Sequence, residues 1–256
     1  DLNQEVFTEK LNELLIDFQN LSESICPQIS FLKLEIDKVP ITYKGSLDNY
    51  FLDLGLNKNN FFTDVSNYLS YETGQPTHCY DANTMNGKLL FHEIEKDEEF
   101  ETLLDKKITL TSKNPVFSLD NEVINLAGIV GGKSTSCSIN TKTVIVECAF
   151  FQPEAIIGKS VKYDIQSEAS HKFERGVDPD CHDRVLRRFI KLVSKHTNIK
   201  DMSIISYKSK DNLITQIPLN ISKINQIVGI YITEKEYLNY LSKLGFVIKE
   251  GSIKVP

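Results

Sequence analysis

Apolar residues recur at helical spacing in the first segment of the chain. The residues concerned are Val6, Phe7, Leu11, Leu14, Leu15, Phe18 and Leu21. Spacings of three and four residues place such side chains on one face of a helix. The pattern therefore predicts an amphipathic helix over residues 3–24, followed by a strand at "QISFLKLEI".

Two shorter helices are predicted between this strand and residue 75. "SLDNYFLDLGL" begins with Ser46, a favourable capping residue, and "FTDVSNYLSYETG" begins near Thr63 and ends at Gly74. His78 follows Pro76 just beyond the second helix, so the pattern places this histidine in a turn.

From Lys88 to Phe151 the pattern changes to short β-rich runs. These runs are "KLLFHEIE", "KKITLTS", "EVINLAGIV" and "KTVIVECAFF", and Asp, Asn, Gly and Ser residues separate them. Short β-rich runs separated by turn-forming residues are typical of a sheet. A long helix is predicted after Pro179, because one helical face then carries Val185, Leu186, Phe189, Ile190 and Val193.

The segment "KSKDN", residues 208–212, is polar and charged and is the best linker in the sequence. Beyond it, "ISKINQIVG" and "TEKEYLNYLSKLGF" predict two helices, and "FVIKEGSIKVP" predicts a hairpin. We therefore expect one domain over residues 1–207, with a β-rich middle at about 88–151, and the truncated start of a small domain over 213–256. Because the first residue is Asp rather than Met, we expect a piece of a longer protein.

Composition narrows the class of protein. The 256 residues are 41% hydrophobic and 25% charged, which is ordinary for a globular chain. A net charge of −6 argues against DNA binding and broad phosphate neutralisation, so any RNA contact should be local. Five scattered cysteines without a CxxC pair suit a reducing cytosol, and no apolar run approaches the roughly 20 residues of a membrane span. These features predict a cytoplasmic protein.

Glu147 is a carboxylate inside the apolar run "TVIVECAFF". A buried ionised glutamate is destabilising unless it is paired or hydrogen-bonded. Two interpretations remain open: a residue at a strand end that pairs with Lys or Arg, or a polar group reserved for a ligand hydroxyl.

His78 also has two interpretations, either a local hydrogen-bonding residue of the turn or a group that faces a substrate. No metal site is predicted, because the other histidines, at 92, 171, 182 and 196, lack ligand spacing with it or with the cysteines. The polar stretch "SEASHKFERGVDP", residues 167–179, is expected to be a salt-bridged loop before the long helix.

The stretch "AGIVGGKS", residues 127–134, nearly satisfies the phosphate-loop pattern. A phosphate loop must open a helix, whose N-terminal amides hold the anion. Here "TSCSINTKTVIVE" follows and predicts a turn and a strand. A glycine-rich turn that allows close backbone approach is favoured, and a nucleotide-binding enzyme that uses this loop is the alternative.

Four motifs in order carry a resemblance to a known family: "GQPTHCYDA", "LAGIVGG", "VIVECAFFQPEAI" and "SEASHKFERGVDP". Over residues 25–195 they resemble the editing domain of the β subunit of bacterial-type phenylalanine-tRNA ligase, and the tail resembles the start of that family's next domain. The resemblance implies an α+β fold, a layered sandwich editing module with an inserted β-rich subdomain, followed by a small partial α+β domain.

The implied activity is hydrolysis of the ester that links tyrosine wrongly to tRNA(Phe), in support of the parent enzyme's attachment of phenylalanine. A pocket shaped for phenylalanine rejects an analogue with one added hydroxyl only weakly, by about 10²-fold in a related case, whereas a site that hydrogen-bonds the hydroxyl discriminates by about 10⁴-fold or more. A second site is therefore needed.

The resemblance also implies the residues of this site. Glu147 matches the glutamate that accepts the tyrosine hydroxyl, and His78 matches a histidine that positions the substrate or the attacking water. The remaining substrate-binding positions are Ser66, Asn67, Gly128, Gly131, Ser167 and Ala169. The serines at 66 and 167 stand where the family has threonine, so each position keeps a hydroxyl and loses a methyl group.

The implied partners are tRNA(Phe) and the ligase α subunit, in an α2β2 heterotetramer. No cofactor is expected in this fragment, since ATP and Mg²⁺ would serve aminoacylation in the complete enzyme. A non-catalytic RNA-binding or assembly module with a decayed pocket is the alternative, and the two serine replacements support it.

Overall fold

The computed structural model describes residues 5–209, 216–249 and 251–254. Two compact units comprise residues 1–210 and 211–256. Of the predicted linker, only Lys208 and Ser209 are among the described residues. In the described ranges, no helix is long and apolar enough to span a bilayer.

The first unit contains most of the strands. In chain order they are β1 (Asn12–Glu13), β2 (Phe18–Asn20), β3 (Gln28–Ile36), β4 (Thr77–Asp81), β5 (Leu89–Glu93), β6 (Glu98–Glu101), β7 (Lys107–Leu110), β8 (Pro115–Leu119), β9 (Glu122–Leu126), β10 (Val130–Gly131), β11 (Thr143–Phe150) and β12 (Ile199–Lys208). The second unit contains β13 (Gln216–Pro218), β14 (Val247–Lys249) and β15 (Ser252–Lys254).

Helices occur in both units. In chain order they are α1 (Ser46–Asp53), α2 (Phe61–Thr73), α3 (Pro153–Ile156), α4 (Lys159–Lys162), α5 (Glu168–Phe173), α6 (His182–Ser194), α7 (Ile221–Val228) and α8 (Glu234–Lys243). The last two belong to the second unit, where the strands form a three-stranded sheet in the order β13-β15-β14.

The first unit is layered. One five-stranded sheet has the order β1-β12-β3-β11-β4, and a second has the order β10-β9-β8-β5-β2. Alternate residues of β3 face opposite sides, so Leu32 and Leu34 join a core with α2 and α6, while Ile29 and Phe31 join a core with the second sheet. The layers are helices, first sheet and second sheet, and the predicted α+β class is confirmed.

The predicted helix over residues 3–24 is wrong for its described part. Residues 12–13 and 18–20 form strands that pair in parallel with β12 and β5, respectively. Leu14 is 4% exposed and its neighbour Leu15 is 90% exposed, which is the alternation of an extended chain. Two sheet edges supply the backbone hydrogen-bond partners here, and apolar spacing alone does not reveal such distant partners.

The two predicted helices near residues 46 and 63 exist, with corrected starts. Gly45, not Ser46, precedes the first helical residue of α1. Asn60 caps α2 by accepting a hydrogen bond from the Thr63 amide, and Gly74 ends that helix with a φ of 80°, as its position predicted. The long helix after Pro179 is confirmed as α6.

The β-rich runs between residues 88 and 151 all contain strands, but they do not form one sheet. β11 lies between β3 and β4 in the first sheet, whereas β5, β8 and β9 lie in the second. β6 and β7 form a separate hairpin. Because β11 lies in the first sheet, it pairs directly with β4, and this pair of strands carries the candidate site.

Candidate functional site

His78 lies on a strand, not in the predicted turn. It is the second residue of β4, and its partner in the antiparallel pair with β11 is Glu147. Residues directly opposite each other in such a pair project from the same face of the sheet. The strand pairing therefore brings together His78 and Glu147, the two residues to which the family resemblance assigns roles in the site.

Glu147 is buried in the middle of β11, with 5% of its surface exposed. The Tyr80 hydroxyl donates a 2.6 Å hydrogen bond to Oε2, and Asn125 Nδ2 lies 3.5 Å from the same oxygen. Burial raises the pKa of this carboxyl to about 7, against the opposing effect of the Tyr80 hydrogen bond. The interpretation as a strand-end residue paired with Lys or Arg is therefore wrong, since both partners are neutral.

The His78 ring packs edge-on against Tyr80, with ring centroids 4.4 Å apart. Its Nε2 is buried and has no hydrogen-bond partner in the described part of the chain. Burial lowers the pKa of His78 to about 4, so the imidazole is neutral at physiological pH. An unpaired buried nitrogen is destabilising, and a ligand or water that bonded it would remove that penalty.

Gly131 closes one side of this cluster. A Cβ atom at this position would lie within 2.6 Å of His78 Nε2, so only glycine allows the ring and the backbone to approach this closely. The Leu103 amide donates a 2.9 Å bond to the Gly131 carbonyl, which ties the turn between β6 and β7 to the same place. Gly128 lies elsewhere, with φ at 71° and packed near Phe151 and Phe173.

The glycine-rich stretch at 127–134 does not form a phosphate loop. No helix follows it between residues 133 and 142, and β11 begins at Thr143. Lys133 is instead held by Asp105 at 2.6 Å and Glu101 at 3.2 Å. The close-approach turn predicted as the favoured interpretation is confirmed.

The two serine hydroxyls make internal contacts. Ser66 donates to the Thr77 carbonyl at 2.8 Å, next to His78. Ser167 donates to the Ile129 carbonyl at 2.8 Å and accepts from the Ser170 amide, which caps α5. The predicted salt-bridged loop over 167–179 is thus wrong in its first half, because a capped helix forms there.

The two remaining candidates, Ala169 and Asn67, lie in different surroundings. Ala169 is half-buried and packs against the core that contains Tyr80. Asn67 is exposed on α2, and no hydrogen bond joins it to Glu147 among the described residues. The structure thus gathers His78, Gly131 and Glu147 into one cluster, with Ser66 adjoining.

Sequence reasoning missed Tyr80 and Asn125. The signal for Tyr80 was available: in a strand "THCYD", His78 and Tyr80 alternate onto one face. The turn interpretation concealed it. Asn125 lies opposite Gly131 in the β9–β10 pair, and its bond of 2.7 Å to the Tyr80 hydroxyl depends on how the two sheets stack.

Two surface cavities lie away from this cluster. A groove of about 930 Å³ runs along the β6–β7 hairpin, and a cleft of about 350 Å³ lies between Gly74 and Arg184. Neither is lined by His78 or Glu147. In residues 5–209, 216–249 and 251–254, no group of three or more His, Cys, Asp or Glu side chains could hold a metal ion.

The fold and the cluster define a layered α+β domain whose central sheet carries a buried carboxyl beside a neutral imidazole. Comparison with protein-family models specifies this class further. Residues 41–198 match the B3/4 domain, and the chain belongs to that family.

Curated relatives extend the match beyond the B3/4 domain. The phenylalanine-tRNA ligase β subunit of Psychrobacter arcticus is 30% identical over 253 residues, which cover 98% of this chain and 31% of the relative. The β subunit of Shewanella oneidensis is 35% identical over 191 residues, 73% of this chain and 24% of the relative. The chain thus spans about a quarter to a third of the length of these relatives, and the resemblance carried by the four motifs is confirmed.

Among solved structures, an N-terminal fragment of the phenylalanyl-tRNA synthetase β subunit from Pyrococcus horikoshii matches with a TM-score of 0.46 and 11% identity. The match covers 100% of this chain and 73% of that one.

Proposed function

We propose that the first unit hydrolyses the ester of tyrosine misattached to tRNA(Phe). The observation that carries this proposal is the pairing of His78 with Glu147 on one face of the sheet, with the unpartnered His78 Nε2 against Gly131. The pairing offers one group for an amino-acid hydroxyl and another for an ester or a water molecule.

Glu147 supplies the discrimination in this proposal. A carboxyl in a water-excluded site gains a strong hydrogen bond from a phenol hydroxyl. A phenylalanyl group in the same position would leave that carboxyl without the bond and would still desolvate it. Hydrolysis would therefore favour the tyrosyl ester.

His78 would position the attacking water. Its pKa of about 4 makes it a weak base at neutral pH, so orientation contributes more than proton abstraction. Backbone amides of the glycine-rich stretch could also polarise the ester carbonyl. The Ile129 amide, however, already donates to the Leu126 carbonyl, and the Gly132 amide donates to the Ile124 carbonyl, so these two amides are less suited to that role. Water adds to the ester carbonyl, the terminal ribose oxygen leaves with a proton, and free tyrosine and tRNA result.

The partners follow from the same proposal. The chain acts as part of a longer β subunit that assembles with an α subunit in an α2β2 enzyme, which uses ATP and Mg²⁺ for aminoacylation in the cytoplasm. Because the net charge is −6, most of the RNA contact would come from other parts of that enzyme.

The test uses the complete ligase that contains this chain and tyrosylated tRNA(Phe). We expect deacylation to slow by tenfold or more in Glu147→Ala and His78→Ala, in line with the loss of one hydrogen bond to the substrate hydroxyl or of one positioning group. Ala169→Trp should block the reaction sterically, and Ser134→Ala, an exposed change in the glycine-rich stretch, is the control.

A wild-type ligase that does not accelerate deacylation refutes the editing proposal. If the same preparation still binds tRNA(Phe), the non-catalytic assembly alternative takes its place.

A further inference from the structure

The hydrogen bonds to Glu147 converge on one of its two oxygens. The Tyr80 hydroxyl lies 2.6 Å and Asn125 Nδ2 lies 3.5 Å from Oε2. Within the described residues, no hydrogen bond ends on Oε1. Each carboxylate oxygen can accept more than one hydrogen bond, so the side chain keeps an acceptor available for a ligand.

The single hydrogen of the Tyr80 hydroxyl determines the donor and acceptor in the bonds that join Asn125, Tyr80 and Glu147. Asn125 Nδ2 donates to the Tyr80 oxygen at 2.7 Å, and a phenol has a single hydrogen to donate. That hydrogen points to Glu147 Oε2, which must therefore be an acceptor. When the carboxyl is protonated, its proton consequently belongs on Oε1.

Tyr80 is held rigidly. Its side chain is fully buried, and its ring packs against His78 with centroids 4.4 Å apart. His78, Tyr80 and Glu147 project from the same face of the β4–β11 pair. One tyrosine therefore contacts both of the groups to which the proposed function assigns a role.

We infer that Tyr80 and Asn125 are positioning residues that hold Glu147 by Oε2 and so assign Oε1 to the hydroxyl of the bound tyrosyl group. This inference rests on the proposed function. The substrate phenol does not compete with Tyr80, because each uses its own oxygen of the carboxyl.

The experiment compares deacylation of tyrosyl-tRNA(Phe) and phenylalanyl-tRNA(Phe) by the complete ligase, in wild-type and Tyr80→Phe forms, across pH. Tyr80→Phe removes one hydroxyl and keeps the ring that packs on His78. We expect the ratio of kcat/KM values, tyrosyl over phenylalanyl, to fall roughly tenfold. Because the Tyr80 bond lowers the pKa of Glu147, its loss should also move the pH midpoint of this ratio upward.

The control is a matched tyrosine elsewhere in the same unit. Tyr43 donates a 2.6 Å bond to Asp64 Oδ2 in the other core. Tyr43→Phe should leave both the ratio and its pH midpoint unchanged. Asn125→Ala is the second test variant, and we expect a smaller change in the same direction, which keeps the inference testable if Tyr80→Phe does not fold.

A wild-type ligase without deacylation activity refutes the proposed function, and this inference with it. An active wild type whose ratio and pH midpoint survive both Tyr80→Phe and Asn125→Ala overturns the inference alone.

Discussion

His78 and Glu147 lie directly opposite each other in the β4–β11 pair, yet burial moves both toward their neutral forms. The pKa of the imidazole is lowered to about 4 and that of the carboxyl is raised to about 7. The two side chains therefore do not form an ion pair at neutral pH. A site with a neutral imidazole and a carboxyl near its midpoint is sensitive to small changes in its surroundings.

The raised pKa of Glu147 predicts a pH dependence of stability. Because the folded pKa lies above the ordinary 4.5, the carboxyl contributes stability that is complete below pH 4.5 and is lost as pH rises to about 7. Glu147→Gln removes this loss. Relative to wild type, the variant should gain up to about 3 kcal/mol of unfolding free energy between pH 4.5 and pH 8, measured by urea unfolding.

Two buried histidines have the opposite effect on the pH dependence of stability. Burial lowers the pKa of both His78 and His182 from 6.5 to about 4, so each increases stability as pH rises through this range. Both remain in the Gln variant, and the difference between variant and wild type therefore isolates Glu147. Parallel curves for the two proteins from pH 4.5 to 8 would contradict the raised pKa.

Gly131→Ala should destabilise the first unit by about 1–3 kcal/mol, because the added methyl group overlaps the His78 ring. Thermal unfolding measures the loss. In a His78→Ala background the same substitution should be much less damaging, since the overlapping ring is gone. An equal effect in both backgrounds would show that some other contact is responsible.

Lys133→Ala should leave the unfolding free energy nearly unchanged, because both of its ion pairs are at the surface. Neither the variant nor the wild-type chain should bind ATP in calorimetric titration. ATP binding by the wild type that disappears in the variant would restore the nucleotide-binding alternative.

The ion pair of Arg188 with Glu72 joins α6 to α2 with two short bonds, of 2.8 and 2.7 Å. The Arg188 side chain is only 7% exposed and the Glu72 side chain only 15%. Arg188→Ala should lower the unfolding free energy by about 1–3 kcal/mol, because the Glu72 carboxylate then keeps only the Tyr68 hydroxyl as a hydrogen-bond donor. Lys195→Ala, which breaks an exposed pair with Glu5, should lower the unfolding free energy much less in the same denaturation assay.

Local signals in the sequence determined several elements of this protein. "QISFLKLEI" predicted β3 with its exact bounds, Gly74 marked the end of α2, and the apolar stripe after Pro179 predicted α6. Four motifs in order also indicated the family. Alternation, capping and helical spacing depend on neighbouring residues, which is why the sequence alone sufficed.

Only the tertiary structure decided which strands pair and which polar groups meet. Residues 12–13 and 18–20 form edge strands. β11 pairs with β3 and β4, and not with the strands that precede it in the sequence. The meeting of Tyr80, Asn125 and Glu147 depends on that pairing and on the stacking of a second sheet. Strand partners and buried hydrogen bonds are set by register and packing between distant segments, and no local pattern encodes them.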